Sequence, residues 1–169
     1  MKKIIYIFII SLFFQQNIYG QNSKEKTVRK TIFIEAGGFG GYGSVNFEYL
    51  IKTINKIKYA TRIGLSTYHI YDYTNTFNPD LQIPLALNIY YGLNHNIDFS
   101  IGQSYASIIQ AQETDFSSKR KNTFSTILSL GYRYQKAEGG FMFKISYAPI
   151  IEENKRFRNW FLLDLGYAF

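Results

Sequence analysis

Two histidines and no cysteine limit the chemistry that this 169-residue chain could perform. His69 lies three positions after Ser66 and three before Asp72, so a hydroxyl, an imidazole and a carboxylate are close in sequence. Hydrolases of the serine type need these three groups in hydrogen-bonded contact. Residues three apart in an extended strand point to opposite faces, so Ser66 and His69 are not expected to meet. We therefore predict no catalytic residue and no enzyme.

The remaining motifs that could bind a cofactor are explained by turns. His95 lies between Asn94 and Asn96, and tight turns favour this composition. The glycine-rich stretch 37–41 predicts a strand end and a tight turn rather than a phosphate-binding loop. The sequence has no metal-ligand spacing, and the lack of Cys excludes thiolate ligands, disulfides and a lipoprotein anchor. We predict no cofactor and no metal.

The elements that would position these side chains are β-strands, because hydrophobicity alternates with a period of two from Thr31 onward. The run 161–169 is the cleanest case. One of its faces carries Phe161, Leu163, Leu165, Tyr167 and Phe169, and the other carries Leu162, Asp164, Gly166 and Ala168. Seven earlier runs repeat the pattern, of which the first, 32–37, is the least regular. Each run is about nine to twelve residues long, which a tilted strand needs to cross a bilayer.

The connections between these strands alternate in length. Residues 92–96 and 136–140 predict tight turns, with Gly and Asn where positive φ is favoured. Residues 67–80 and 107–121 predict long loops, and the first connection on that side, 40–43, is short. Short periplasmic turns and longer outer loops are typical of outer-membrane barrels. We predict an all-β fold, an eight-stranded antiparallel transmembrane β-barrel.

A soluble β-sandwich or a lipocalin-like barrel would also alternate, but with polar residues outside and apolar residues inside. Here the large apolar residues share one face, and the opposite face is too small, polar and charged to fill a soluble core. The mean hydropathy of −0.15 agrees with a polar barrel interior. The 15 Tyr and 15 Phe are typical of the aromatic belts at membrane surfaces. The transmembrane barrel is therefore favoured.

The inward-facing positions of the predicted strands carry as many acids as bases. They are Glu35, Glu48, Lys58, Arg62, Asp98, Arg133, Lys144 and Asp164. Eight strands leave a lumen that side chains just fill, and buried charges are tolerated when they are paired. We predict a structural network of charges that plugs the lumen. A narrow ion path along the same residues is the alternative.

The N-terminal residues predict export. Lys2 and Lys3 precede an apolar run, 4–14, that is too short to cross a membrane as a helix. Gly20 is a small residue suited to the position before a cleavage site. The predicted units are a signal peptide over 1–20, a flexible periplasmic leader over 21–30 and the barrel over 31–169. A retained interfacial anchor is the alternative to cleavage.

The net charge of +7 is spread over basic residues that occur singly along the strands. This pattern excludes a nucleic-acid interface and favours contact with anionic lipid head groups. The run Lys119-Arg120-Lys121 is expected to face lipopolysaccharide phosphates. The loops 68–80 and 107–121 mix aromatics with Asn, Thr and Asp. That composition suits sugar-binding or adhesive surfaces and also plain solvated loops, and we favour the plain loops.

Four stretches carry a resemblance to a known family. They are Val45-Asn46-Phe47-Glu48-Tyr49, Ile83-Pro84-Leu85-Ala86-Leu87-Asn88, 140–150 and Leu165-Gly166-Tyr167-Ala168-Phe169. They resemble the small outer-membrane β-barrel proteins common in Bacteroidetes, within the porin-like or outer membrane protein A-like superfamily. The resemblance implies that Gly166, Tyr167 and Phe169 form the signal recognised by the barrel-assembly machinery.

The same resemblance implies location in the bacterial outer membrane, in contact with lipid and lipopolysaccharide, and a structural or surface-binding role. We expect a monomer. A small porin is the first alternative function. Some eight-stranded barrels modify lipid A and need a His with a Ser and an acid, so an enzyme that uses His69 is the second alternative. The His-x-Ser-Asn pattern of the deacylases among them is absent from the sequence.

Overall fold

The computed structural model describes residues 28–111, 118–152 and 157–169. The predicted signal peptide and residues 21–27 of the predicted leader lie outside these ranges. The strands are β1 (Lys30–Gly37), β2 (Gly43–Ile54), β3 (Ile57–Leu65), β4 (Leu81–Gly92), β5 (His95–Ala111), β6 (Ser118–Gln135), β7 (Gly140–Tyr147), β8 (Ile150–Glu152), β9 (Phe157–Arg158) and β10 (Phe161–Ala168). A 3-10 turn, Gly38–Gly40, follows β1. Among the described residues, no helix is long and apolar enough to cross a membrane.

Neighbouring strands pair antiparallel, and β1 pairs with β10 to close the sheet into a barrel. β7 and β8 are two parts of one barrel strand, because both pair with β6. They are separated at Ala148 and Pro149, and proline has no N–H to donate to the ladder. β9 and β10 pair with β8 and β7 in turn. The ten segments therefore form eight barrel strands, which confirms the predicted fold class.

The barrel is apolar outside and largely polar inside, as the alternation predicted. On β10, Phe161 and Leu165 are 70% and 39% exposed, whereas Leu162 and Asp164 are 2% and 1% exposed. β1, predicted as the least regular strand, alternates cleanly because Phe33 turns inward. The apolar exterior suits contact with lipid. Because the sheet is closed, every strand also finds its backbone hydrogen-bond partners within the barrel, as a membrane interior requires.

Aromatic side chains flank this apolar surface at both ends. At one end Tyr105 packs on Phe124 and Tyr147 packs on Phe161, with ring centroids 5.1 Å and 5.6 Å apart. The outward aromatic residues at the other end include Tyr49, Tyr91, Tyr132, Phe141, Tyr167 and Phe169. Two such belts are expected at the two membrane–water interfaces.

The short turns lie where the sequence predicted them: Leu93 and Asn94 join β4 to β5, and 136–139 join β6 to β7. The long connection between β3 and β4 is also confirmed. The prediction of a loop over 107–121 was wrong in extent, because β5 continues to Ala111 and β6 begins at Ser118. Polar residues interrupt the alternation there, although the backbone ladder is intact. We call the end with the short turns the turn end, and the opposite end the loop end.

Candidate functional site in the lumen and at the loop end

All eight charged residues predicted for the lumen point inward. Glu35, Glu48, Arg62, Asp98, Arg133, Lys144 and Asp164 are at most 2% exposed, and Lys58 is 8% exposed. Each lies next to outward-facing apolar residues on its strand. Because successive side chains of a strand point to opposite faces, the charged side chain points inward. Burying an isolated charge in the lumen would cost free energy of folding, so each charge needs a partner there.

One charged cluster surrounds Arg62. Its guanidinium lies 2.7 Å from the carboxylate of Glu35 and 4.0 Å from that of Asp164. The register places Glu35 directly opposite Asp164 on the β1–β10 seam, so one arginine faces two adjacent acids. The guanidinium also lies over the rings of Phe33 and Phe39, at 5.4 Å and 4.4 Å from their centroids. These rings shield the cluster and add cation–π attraction.

A second charged cluster surrounds Arg133, closer to the turn end. Arg133 forms an ion pair with Glu48 and lies 3.4 Å from Asp98. The ammonium of Lys144 lies 2.6 Å from Asp98 and donates to the Ser100 hydroxyl at 3.0 Å. A network of this kind resists disruption because removing one member leaves a buried partner uncompensated.

Lys58 lies apart from both clusters, at the turn end of the lumen. Its ammonium donates to the carbonyl oxygens of Gly92 and Leu93, at 3.3 Å and 2.8 Å, and to Asn96 Oδ1 at 3.0 Å. The ring of Tyr90 lies 5.3 Å from this ammonium and 4.2 Å from the Arg133 guanidinium. Lys58 and the buried ring of Tyr90 therefore fill the lumen at the turn end.

The loop side of the lumen is closed by Phe39, for which the glycine-rich stretch predicted a simple tight turn. The chain instead folds inward after β1, and Phe39 is 0% exposed, packed with Ile127 and Leu162. Gly37 and Gly38 allow this path, with φ of +78° and +75°, a region that side chains disfavour. The Gly40 N–H donates to Glu35 at 2.8 Å and ties the turn to the Arg62 cluster. A phenylalanine within the glycine run was the signal that could have revealed it.

Beyond Phe39, a cavity of about 440 Å³ opens at the loop end. We call it the outer vestibule. Its residues include Tyr42, Tyr68, His69, Asp80, Gln82, Gln110, Ile127 and Trp160. No sequence motif marks this cavity, because its residues come from several strands and loops that are distant in sequence.

Ser66, His69 and Asp72 are close in sequence but do not form a triad. The Ser66 hydroxyl donates to the Gly43 carbonyl, and His69 Nδ1 lies 2.9 Å from Asp80 rather than from Asp72. Asp72 instead accepts hydrogen bonds from Thr74 and Thr76 within its own loop. These bonds lower the pKa of Asp72 to about 2.

Tyr68, in the β3–β4 loop, holds the connection between β1 and β2 against the start of β4. Its hydroxyl contacts the Gly40 carbonyl, accepts from the Tyr42 N–H at 3.0 Å and lies 2.9 Å from Gln82 Oε1. Burial raises the pKa of Tyr68, so the phenol remains neutral at physiological pH. This contact fixes one wall of the outer vestibule.

Arg120, unlike its neighbours Lys119 and Lys121, makes hydrogen bonds to the β3–β4 loop. Its guanidinium donates to Asn78, to the Pro79 carbonyl at 3.1 Å and to the Ser107 carbonyl at 3.3 Å. It therefore holds the β3–β4 loop against the β5–β6 hairpin.

The predicted assembly signal lies on the closing seam. Tyr167 and Phe169 are 61% and 51% exposed on the apolar exterior, and Gly166 lies opposite Phe33. The Phe169 N–H donates to the Lys30 carbonyl at 2.8 Å, and the Lys30 N–H donates back at 3.1 Å. Lys30, predicted as leader, is thus already part of the barrel ladder.

Within the described ranges, no group of His, Cys, Asp or Glu could hold a metal ion.

No protein-family model matches the sequence, and no curated protein matches it. Among solved structures, the N-terminal β-barrel domain of Pseudomonas aeruginosa OprF is similar, with a TM-score of 0.55 and 18% identity over 84% of this chain and 99% of that one. Ail, the attachment invasion locus protein of Yersinia pestis, gives 0.55 and 12% over 85% of this chain and 99% of Ail. Ail in complex with the heparin analogue sucrose octasulfate gives 0.53 and 10%, over 85% of this chain and 97% of that one. At these identities the likeness shows the fold: this chain folds as a small, eight-stranded outer-membrane β-barrel.

Proposed function

We propose that this protein is a sealed, non-conducting barrel of the bacterial outer membrane, with a structural or surface-binding role at its loop end. The observation that carries the proposal is the filling of the lumen from Phe39 to the turn end. Phe39 closes the loop side, the clusters around Arg62 and Arg133 fill the middle, and Tyr90 with Lys58 fills the turn end. An ion crossing this path would have to displace buried, paired charges.

The exterior supports the partners that we propose for it. Its aliphatic band and two aromatic belts suit membrane lipid, and Lys119 and Lys121 at the loop end suit lipopolysaccharide phosphates. We propose that the barrel-assembly machinery recognises Gly166, Tyr167 and Phe169, and that the protein is a monomer of the type common in Bacteroidetes. We propose no catalytic role, since the Ser66 hydroxyl is bonded to Gly43 and His69 to Asp80.

Planar-bilayer recording tests the sealed lumen. The folded protein is reconstituted at one copy per bilayer, with a known porin as the positive control. We expect no steady current steps over the voltage range in which the bilayer is stable. Reproducible single-channel steps would overturn the proposal in favour of a small porin.

A further inference from the structure

We propose that the outer vestibule is a binding site for a neutral saccharide, the size of a mono- or disaccharide. The inference rests on the proposed surface-binding role and specifies its ligand. The vestibule faces the loop end, which lies outside the cell in outer-membrane barrels. Its volume of about 440 Å³ falls within the range of small-molecule sites.

Aromatic rings form one wall of the vestibule. Tyr42 packs edge-on against Tyr68 at a centroid distance of 5.5 Å and lies 5.9 Å from the Trp160 ring. The Tyr42 side chain is nevertheless 77% exposed, a large apolar surface left open to water beside the cavity. A sugar ring has a face of C–H groups that carries slight positive charge. Such a face packs well on the negative face of an aromatic ring.

A second part of the lining carries a histidine whose orientation is fixed. Asp80 is only 3% exposed; one of its oxygens lies 2.9 Å from His69 Nδ1, and the other accepts from the Ile109 N–H at 2.7 Å. The imidazole side chain itself is 67% exposed, so its other nitrogen is open to a ligand. A hydrogen-bonding group held in advance binds with less loss of entropy than a free one.

The mixture of groups distinguishes a sugar from other ligands of this size. An acyl chain would remove His69 and Gln110 from water without replacing their hydrogen bonds. Asp80 and Arg158 are the acid and the base of the lining, so its fixed charges balance, and a neutral ligand fits this balance better than a free anion does. A neutral polyhydroxyl ring satisfies both the polar and the aromatic wall. The apolar floor formed with Ile127 lies directly above Phe39, so the ligand would bind there and not pass through.

The fluorescence of Trp160 tests the proposal directly, because it is the single tryptophan of the chain. The folded protein, in a detergent without a sugar head group, is titrated with glucose, galactose, N-acetylglucosamine, maltose and sucrose. Inorganic phosphate and a short fatty acid serve as the anionic and lipid probes. We expect at least one sugar to change the emission in a saturable way, with phosphate and the fatty acid giving no saturable change.

Matched histidine variants localise the effect. H69Q should weaken the sugar response at least tenfold, whereas H95Q, which changes the histidine at the turn end, should leave it within twofold. Heat-modifiable gel migration verifies folding, and Y42A decides the matter if H69Q does not fold. A wild-type protein without a saturable sugar response, or equal affinities in the vestibule and turn-end variants, would overturn the inference. Saturation by phosphate or the fatty acid instead would also overturn it. The sealed-lumen proposal would be unaffected, since it fails only if the barrel conducts.

Discussion

Arg62 and Arg133 are the two cations around which the lumen is organised. Each faces two carboxylates. Arg62 packs against the rings of Phe33 and Phe39, and Arg133 packs against the ring of Tyr90. Burial of an ion pair is a weak source of net stability, because the charges lose their hydration on folding. The interactions are therefore better understood as filling the lumen specifically than as strengthening the barrel. Removing one partner leaves the other charge buried and uncompensated, which destabilises the fold.

Replacing Arg133 by methionine should destabilise the barrel by about 3–5 kcal/mol, because Glu48 and Asp98 would lose a buried cation. Urea unfolding in lipid vesicles measures the change. R29M is the matched control, since the Arg29 side chain is exposed beside β1, and we expect a change within about 0.5 kcal/mol. A loss of less than about 1 kcal/mol in R133M would show that the network around Arg133 is not coupled as its geometry indicates.

The sequence could give the direction of each charged side chain but not its partner. The alternation of side chains along the strands was enough to predict that Glu35, Lys58 and the other six point inward. Which acid meets which base depends on barrel stagger and on distances across the lumen, which no local pattern encodes. That is why Lys58, counted among the balanced charges, bonds to carbonyl oxygens, and why Arg62 faces two acids.

The β3–β4 loop is the element whose order depends most visibly on a single side chain. Asp72 accepts from the N–H groups of Thr74 and Thr76 and from the Thr74 hydroxyl, at 2.7–3.0 Å. Asn75, at φ of +59°, completes the turn with its N–H on the Asp72 carbonyl. Beside it, Arg120 holds the end of the loop to the β5–β6 hairpin. The loop is thus an ordered wall of the outer vestibule.

The order of this loop should depend on pH through Asp72, which lies outside the membrane-spanning strands. Its pKa is lowered from 3.8 to about 2, so its stabilising effect is complete above pH 3.8 and is lost as pH falls through about 2. Hydrogen-exchange protection of the Thr74 and Thr76 amides measures this. We expect protection to fall between pH 4 and pH 2 in the wild type and to be independent of pH in D72N. An identical pH profile in both proteins would contradict the role of the carboxylate.

The strands could be predicted within the apolar band, where contact with lipid imposes an alternation of apolar and polar residues. Their ends could not be predicted beyond the band, where that alternation stops. Within the apolar band every strand was found, including β10 with its four outward residues. Beyond the band, β5 and β6 continue as a polar hairpin to Ala111 and from Ser118, and the period of two disappears. The inward fold of Gly38–Gly40 was missed for a related reason. Glycine runs predict turns but not the direction in which a turn carries its phenylalanine.

The whole molecule combines an apolar exterior, a charged interior and one open end. The exterior and interior follow from the sequence pattern, and the similar solved structures share the fold at 10% to 18% identity. A barrel of this kind tolerates wide sequence change because its outward residues need only be apolar. Function is therefore carried by the lumen and the loop end, where specific side chains meet.

The absence of cysteine from the chain allows one labelling experiment to test both the sealed lumen and its orientation in the membrane. Single cysteines replace Tyr73 in the β3–β4 loop, Ser129 in the lumen and Glu138 in a short turn. Cells expressing each variant are treated with a polymer-linked maleimide that is too large to pass porins. We predict that Y73C is labelled on intact cells and E138C only after the outer membrane is permeabilised. Purified, folded S129C is treated separately with a small charged methanethiosulfonate that could enter an ion-conducting lumen. Because Ser129 is 1% exposed, S129C should react with it only after unfolding. Labelling of S129C in the folded barrel, or of E138C on intact cells, would contradict the sealed and oriented barrel.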